Sequence, residues 1–189
     1  MTTYAWAAVL LALVVAAAAL MVALALATRV RQLAVQVTRL TQHRAAEATG
    51  LPATGFTVPP VTAIDLDGDP VTGADLAGAD DLPVLFFSAT CSSCRTELPK
   101  LRDLVLADSD GRAQRPLVVV SGDRAQGADL VDQCRSFARV VVEDAPETPV
   151  TRAFKVRGFP AVVYLSGGVV RRAGHTAGDL RVAVPSTAT

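Results

Sequence analysis

The sequence predicts one α/β domain, with helices flanking a central mixed β-sheet, preceded by a single membrane-spanning helix. Two observations predict the domain. Apolar, strand-like runs alternate with helical patterns from residue 82 to residue 154, and a Gly-Gly turn then joins two further strands. A third observation predicts the anchor, because residues 4 to 27 contain no charged side chain. At 189 residues, the chain is long enough for one domain of ordinary size and an appendage.

The uncharged stretch from Tyr4 to Ala27 has the length of a transmembrane helix. At about 1.5 Å per residue, it would extend roughly 36 Å, which is enough to cross a bilayer. Tyr4 and Trp6 stand where an interfacial aromatic belt would lie. A cleaved signal peptide is the alternative, since Ala25-Leu26-Ala27 satisfies the small-x-small cleavage rule. However, no Lys or Arg precedes the stretch, and it is longer than a usual h-region. We therefore assign residues 1–28 to a transmembrane anchor.

Residues 29–55 are predicted to form a juxtamembrane amphipathic helix and a linker. Apolar side chains recur there at three- to four-residue spacing, at Val30, Leu33, Val37 and Leu40. Two heptads are too few to indicate a coiled coil, so a helix lying against lipid headgroups is favoured over a dimer seam. The stretch from Ala45 to Pro60 is rich in Ala, Thr, Gly and Pro, which is typical of a linker. The folded domain is placed at residues 56–189.

The first half of the domain contains a hairpin, a buried strand and a long helix. Residues 61–71 read as two short strands around the Asp67-Gly68 turn. The apolar run from Leu82 to Ser88 predicts a buried strand, and a helical pattern extends from Ser92 to about Asp108. Pro99 lies inside this pattern, where it removes one backbone hydrogen bond and predicts a kink.

The second half continues the alternation and ends in a hairpin. The predicted elements are a strand at Pro116–Ser121, a helix at Gly127–Phe137, a strand at Arg139–Glu143 and a short helix at Pro146–Phe154. The Gly167-Gly168 turn then joins two strands, and Pro160 opens the first of them, a position that proline tolerates. Residues Ala177 to Val184 predict one or two closing turns of helix. The alternating part predicts parallel strands and the hairpin antiparallel ones, which together give a mixed sheet.

The Cys91-Ser92-Ser93-Cys94 pair lies between a predicted strand and a predicted helix. This order places Cys91 at a helix N-terminus, where unpaired N–H groups and the positive dipole end stabilise a thiolate. Only the thiolate attacks a disulfide sulfur. Cys94, one turn further on, lies close enough to close an intramolecular disulfide. The pattern indicates a dithiol/disulfide site in which Cys91 is the nucleophile and Cys94 the resolving thiol.

A zinc half-site or an inert buried pair is the alternative for these two cysteines. A structural zinc site needs four ligands, and only Cys134, His43 and His175 remain, with no second Cys-x-x-Cys. We therefore predict neither a metal nor a cofactor. Cys134, on the apolar face of its helix, is predicted to be a small core side chain, His43 to be solvated and His175 to lie at the surface. Lys plus Arg and Asp plus Glu balance at 18 each, which gives no electrostatic reason to expect nucleic acid.

Residues Phe86 to Pro99, Phe-Phe-Ser-Ala-Thr-Cys-Ser-Ser-Cys-Arg-Thr-Glu-Leu-Pro, resemble the active-site signature of the membrane-anchored thioredoxins of the TlpA/ResA family. Thr90, before the first cysteine, is more similar to the MauD branch of that family. The resemblance covers roughly residues 56 to 180 and implies a thioredoxin-like fold. The family usually carries proline where this chain has Ser92, so the site should be less rigid and the direction of electron flow stays open.

The resemblance also implies roles for residues outside the cysteine pair. Glu97 stands where the family carries a glutamate that manages thiol protons, so it is expected to act as a general base for Cys94. A solvated helix glutamate is the alternative. Gly158-Phe159-Pro160 resembles the Gly-x-Pro element of thioredoxins. This implies a cis Pro160 that faces the cysteine pair and a loop, Phe159 and Pro160, that binds a substrate segment through its backbone.

The resemblance implies a membrane-tethered thiol–disulfide oxidoreductase that exchanges disulfides with protein partners and with an integral membrane redox partner. The resemblance further implies a role in protein maturation. The protein would either reduce cysteines for cytochrome c haem attachment or assist a disulfide-rich dehydrogenase. The alternative is a tethered binding module that holds a client protein without turnover. An assay of insulin reduction would separate the two, since only the oxidoreductase would show activity that depends on Cys91.

The membrane orientation receives two opposed predictions. Basic side chains follow the span and none precedes it, at Arg29, Arg31, Arg39 and Arg44, so the positive-inside rule predicts a cytoplasmic domain. The resemblance implies a catalytic domain outside the cytoplasm. We expect the extracytoplasmic orientation in the cell membrane, because a disulfide-handling pair is better suited to an oxidising compartment.

Overall fold

The computed structural model describes residues 49–108, 114–144 and 149–182, together with Met21. The chain divides into two units, Met1–His43 and Arg44–Thr189, and all the elements below belong to the second. Among the described residues, no helix combines the length and the apolar character that a bilayer crossing requires. The predicted anchor at residues 1–28 and the predicted juxtamembrane helix lie outside the described residues, apart from Met21.

The strands in the described ranges are β1 (Thr62–Ile64), β2 (Pro70–Thr72), β3 (Leu82–Ser88), β4 (Leu117–Ser121), β5 (Arg139–Glu143), β6 (Ala161–Ser166) and β7 (Val169–Gly174). The helices are α1 (Gly73–Ala77), α2 (Ser92–Asp108), α3 (Ala128–Arg135), α4 (Pro149–Ala153) and α5 (Ala177–Val182). β1 and β2 form a separate antiparallel hairpin, and the other five strands form one sheet.

The five-stranded sheet has the order β5-β4-β3-β6-β7 and is mixed. β3, β4 and β5 run parallel, whereas β6 pairs antiparallel with both β3 and β7. Crossover connections through α2 and α3 join the parallel strands, and the Gly167-Gly168 turn joins the antiparallel pair β6 and β7. The predicted α/β fold with a mixed central sheet flanked by helices is confirmed.

The core has two layers, one on each face of the sheet. Successive side chains of β3 point to opposite faces, so Leu85 and Phe87 pack in one cluster while Val84 and Phe86 pack in the other. The first cluster includes side chains from α2, α3 and α5, and the second includes side chains from α1 and α4. A central strand buried on both faces explains why β3 reads as a continuous apolar run.

Both edges of the sheet are covered by chain from the N-terminal part of the domain. Residues 55–58, part of the predicted linker, run along β7, where the Val58 N–H donates to Gly168 O over 3.0 Å and the Val170 N–H to Phe56 O over 2.9 Å. At the other edge, the Leu66 N–H donates to Val140 O of β5 over 2.8 Å. These bonds satisfy backbone groups that would otherwise offer a template for intermolecular strand pairing.

Candidate active site

Cys91 lies at the carboxyl end of β3, immediately before α2. Two backbone bonds shape the turn that joins these elements: the Ala89 N–H donates to Ser121 O over 2.9 Å, and the Cys91 N–H donates to Ser88 O over 3.1 Å. Gly122, after β4, has φ +114 and lies so close that an added Cβ would be 3.1 Å from the Ala89 Cβ. A glycine is therefore required there, by conformation and by space, for the strand ends to hold the turn.

The Cys91 sulfur is half-buried and surrounded by donors. The Cys94 N–H donates to it over 3.3 Å, and the Ser93 hydroxyl lies 3.0 Å away. Burial raises the pKa of the Cys91 thiol, but hydrogen bonds from the Cys94 thiol, the Ser93 hydroxyl and the backbone of both residues outweigh it, so the pKa falls below its ordinary value. This environment favours the thiolate, the form that attacks disulfides.

Cys94 is fully buried beneath Cys91 in the first turn of α2. Burial raises the pKa of its thiol to about 12, and the bond that it donates to Cys91 adds to the rise. Both cysteines are free thiols in this structure. The two thiols therefore differ in protonation. The environment of Cys91 stabilises its thiolate, whereas that of Cys94 keeps its thiol protonated, and the two sulfurs lie within hydrogen-bonding reach of each other.

The loop before β6 lies opposite the cysteine pair. The Phe159-Pro160 peptide bond is cis, and the Cys91 thiol donates to Phe159 O over 3.7 Å. Phe159 is half-buried and packs against both layers of the core, and Pro160 is buried. The cis bond and its position facing Cys91 are as the resemblance implied.

Glu97 lies one turn after Cys94 on α2, with its side chain 17% exposed. Its carboxylate pairs with the Lys100 ammonium over 2.7 Å, and among the described residues no hydrogen bond joins it to either thiol. Glu97 thus lies on the helix that carries the cysteine pair, but its carboxylate is paired with Lys100. The Lys100 side chain is 60% exposed.

Arg95 is a site neighbour that the sequence did not single out. Its guanidinium pairs with Asp129 of α3 through two bonds, of 3.0 and 3.1 Å, and donates to Ala89 O over 3.1 Å. Arg95 therefore ties the first turn of α2 to the turn before Cys91 and to the neighbouring helix. Its positive charge also opposes the rise in the pKa of Cys94, although burial dominates that rise.

His175 was predicted to lie at the surface, and the structure places it beside the Phe159–Pro160 loop. Its ring is half-buried, with Nδ1 2.6 Å from Pro160 O and Nε2 2.8 Å from Thr49 O. The hairpin register pairs Val162 with Gly174 and so brings His175 level with the start of β6. The Gly-Gly turn, visible in the sequence, could have located this residue.

Cys134 and His43 are the remaining residues that the sequence offered as zinc ligands. Cys134 is fully buried on α3, as predicted, and burial raises the pKa of its thiol to about 12. His43 lies outside the described residues. Within the described ranges, no group of three or more His, Cys, Asp or Glu is placed to hold a metal ion.

Several solved structures share this architecture, and their names describe thiol–disulfide exchange proteins. The thioredoxin domain of a thiol-disulfide oxidoreductase from Bacteroides vulgatus matches with a TM-score of 0.55 and 27% identity, covering 68% of this chain and 92% of that one. The fold is thioredoxin-like. A thiol:disulfide interchange protein from Bacteroides sp. also has a TM-score of 0.55, with 26% identity over 68% of this chain and 86% of that one.

A third neighbour, more distant in sequence, agrees in fold. It is a thiol:disulfide interchange protein of the thioredoxin family from Chlorobium tepidum, with a TM-score of 0.51 and 21% identity over 70% of this chain and 95% of that one. No protein-family model and no curated protein sequence matches the chain. The structural neighbours are thiol-disulfide oxidoreductases, and they support a redox function in general terms.

Proposed function

We propose that this protein is a membrane-tethered thiol–disulfide oxidoreductase that exchanges disulfides with protein partners through Cys91 and Cys94. The observation that carries the proposal is the contrast between the two thiols. The pKa of Cys91 is lowered by hydrogen bonds, whereas burial raises that of Cys94 to about 12. A two-step exchange requires one thiol that is ionised and attacks the partner, here Cys91, and a second that stays protonated until the mixed disulfide has formed, here Cys94.

In the first step, the Cys91 thiolate attacks one sulfur of a partner disulfide. A mixed disulfide forms, and the other partner sulfur leaves as a thiolate. In the second step, Cys94 loses its proton and attacks the Cys91 sulfur, closing the Cys91–Cys94 disulfide and releasing the second partner thiolate. The partner gains two electrons, and the protein loses two. A dithiol must then return two electrons, or the sequence runs in reverse on a reduced partner.

Two further groups have roles in this scheme. The loop of Phe159 and Pro160 lies against Cys91, and we propose that its backbone pairs with the partner segment that carries the disulfide. Glu97 is proposed to accept the Cys94 proton during the second step, since it lies one helical turn away on α2. Its ion pair is with Lys100, whose side chain is 60% exposed, so the ammonium can move into solvent when Glu97 accepts the proton.

The cellular setting is part of the proposal. The uncharged stretch from Tyr4 to Ala27 supports a single-pass anchor in the cell membrane, with the domain outside the cytoplasm. The resemblance of residues 86–99 to the TlpA/ResA family and its MauD branch supports the same arrangement, with an integral membrane redox partner that exchanges electrons with the Cys91–Cys94 pair. The arginines that follow the stretch argue for the opposite orientation.

Reduction of insulin by the full chain in detergent, with dithiothreitol as the electron source, tests the proposed activity. We expect turnover by the wild type, loss of turnover in Cys91→Ser, and full turnover in the matched control Cys134→Ser. An inactive wild type that still retains protein clients would instead favour a tethered binding module. Activity that survives Cys91→Ser would reject the cysteine pair as the site.

A further inference from the structure

The ring of His175 is held between two backbone carbonyl oxygens. Nδ1 lies 2.6 Å from Pro160 O, and Nε2 lies 2.8 Å from Thr49 O. A carbonyl oxygen only accepts hydrogen bonds, so each ring nitrogen must carry a hydrogen in order to bind its oxygen. Only the doubly protonated imidazolium has both hydrogens; a neutral ring can donate to one of the two carbonyls.

The surroundings fix the ring in this position. The His175 N–H donates to Asp179 Oδ2 over 3.0 Å, and the Thr176 N–H donates to the same oxygen over 3.0 Å. This carboxylate anchors the turn between β7 and α5. On the other side, the ring packs on the backbone of Gly158, where an added Cβ would lie 2.9 Å from His175 Cε1. The ring therefore has little freedom to leave the two carbonyls.

The charged groups of the neighbouring elements are compatible with a cationic ring. Burial raises the pKa of the Asp179 carboxyl of α5, but the hydrogen bonds that it accepts from Thr176 and from the His175 backbone outweigh burial, so this carboxylate is an anion beside the ring. Arg157, next to Gly158 on the loop, is exposed. The Cys91 thiol contacts the same loop at Phe159 O.

We infer that His175 is a positioning residue for the thiol exchange: its ring holds the Pro160 carbonyl through Nδ1 and so fixes the Phe159–Pro160 loop opposite Cys91. This inference rests on the proposed function. The two carbonyls are consecutive in the chain, since Cys91 contacts that of Phe159 and His175 holds that of Pro160. A shift of about 1 Å in a group that positions a substrate can cost as much as a hundredfold in rate.

The contact with Thr49 O links the His175 ring to a second segment of the chain. Thr49 belongs to the segment that leads back toward the N-terminal residues, and its oxygen is bound by the same ring. The adjoining Gly50 O accepts the Arg157 N–H over 2.8 Å, so this segment contacts the loop at two points. His175 thus connects the chain on the N-terminal side of the domain to the loop that faces the nucleophile.

The kinetic test compares two disulfide probes in the full chain in detergent. Insulin is a protein disulfide that can pair with the loop, whereas 5,5′-dithiobis(2-nitrobenzoic acid) is a small disulfide that Cys91 attacks without pairing. For His175→Leu, we expect kcat/KM for insulin to fall at least about tenfold while the rate with the small disulfide stays within about twofold. His175→Gln, which keeps one donor, should fall less, and His43→Leu should match the wild type. Unchanged insulin kinetics, or equal losses with both probes, would overturn the inference.

A titration of the wild type tests the same contact without any variant and without any activity. Nuclear magnetic resonance of the labelled full chain follows the His175 ring together with the amides of Ala161 and Gly50, which share peptide groups with the two carbonyls. We expect the chemical shifts of both amide nitrogens to change with pH at the same midpoint as those of the His175 ring, and not at the midpoint of the His43 ring. If the ring titrates while both amides stay still, the inference fails. An enzyme inert to insulin with coupled amides would instead reject only the proposed function.

Discussion

The backbone N–H of Cys94 donates a hydrogen bond to the sulfur of Cys91 over 3.3 Å. Cys91 thereby occupies the position of a helix N-cap, whose side chain accepts from the N–H of the third helical residue. An oxygen usually fills this role. Here the acceptor is a sulfur, and the bond that caps α2 also stabilises the negative charge of the thiolate, together with the positive end of the helix dipole. Cys94 thus stabilises a thiolate at Cys91 through its backbone N–H.

The contrast between the three thiols predicts selective alkylation. With a pKa of about 12, Cys94 and Cys134 have a thiolate fraction of roughly one in 100,000 at pH 7, whereas the lowered pKa of Cys91 favours its thiolate. Iodoacetamide followed by mass spectrometry should therefore modify Cys91 alone in the native chain and all three cysteines in urea. The alkylation of Cys91 should begin at lower pH in the native chain than in urea. Equal rates for Cys91 and Cys94 would contradict this assignment.

The second serine of the motif should act on the nucleophile, and the first should not. The Ser93 hydroxyl lies 3.0 Å from the Cys91 sulfur and helps to lower its pKa. Ser92 is exposed, and within the described ranges its side chain makes no contact with either thiol. Loss of one such bond costs about 1 kcal/mol, so Ser93→Ala should slow alkylation of Cys91 at pH 7 roughly fivefold. The matched variant Ser92→Ala should leave the rate unchanged, and equal effects would show that the serine bond is unimportant.

Glu97→Gln should affect the second step of the exchange and spare the first. Cys94 must lose a proton from a thiol with a pKa of about 12, and an amide cannot accept it. We expect the mixed disulfide between Cys91 and a peptide disulfide to form at the wild-type rate and to persist about a hundredfold longer, as acid-quenched mass spectrometry would show. Asp103→Asn, on an exposed part of the same helix, is the control. A mixed disulfide that resolves at the wild-type rate would remove Glu97 from the mechanism.

Elements with local signals could be predicted from the sequence. Helix α2 begins at Ser92 and ends at Asp108 as predicted, because a strand-to-helix change of pattern marks its start. Strand β5 was located from its valine run, and the β6–β7 hairpin from Gly167-Gly168. Helix α1 was missed, since five residues are too few to show periodicity. Its start is nevertheless encoded by a capping box between Thr72 and Asp75.

Residues whose roles depend on distant partners could not be predicted in this way. Arg95 reads as an ordinary surface charge until α3 brings Asp129 to within 3.0 Å of it. His175 requires both the register of a hairpin and the return of the segment at Thr49. Neither partner is within three or four residues in the chain, where local pattern arguments apply. The position of Cys91 was predictable because strand, turn and helix are contiguous around it.

The Asp65–Arg139 pair predicts a loss of stability in acid. Asp65 is 5% exposed, accepts from the Arg139 guanidinium over 2.9 Å, and accepts from the N–H groups of Asp67 and Asp69 over 3.0 and 2.9 Å. Burial raises the pKa of the Asp65 carboxyl, but the bond from Arg139 and the two backbone bonds outweigh it, so the pKa lies below its ordinary value of 3.8. A group with a lowered folded-state pKa stabilises the fold above its unfolded pKa and loses that contribution as pH falls through the folded value.

Asp65→Asn should therefore destabilise the chain by about 2 kcal/mol at pH 7, and the difference from the wild type should shrink as the pH falls below about 4. Urea unfolding of the full chain in detergent, followed at several pH values, measures this difference. Asp67→Asn is the matched control, because its pair with Arg135 is half-exposed on both sides and should contribute less than about 0.5 kcal/mol. A constant difference across the whole pH range would mean that the Asp65 side chain stabilises the hairpin by its shape, since only an ionised carboxylate gives a contribution that protonation removes.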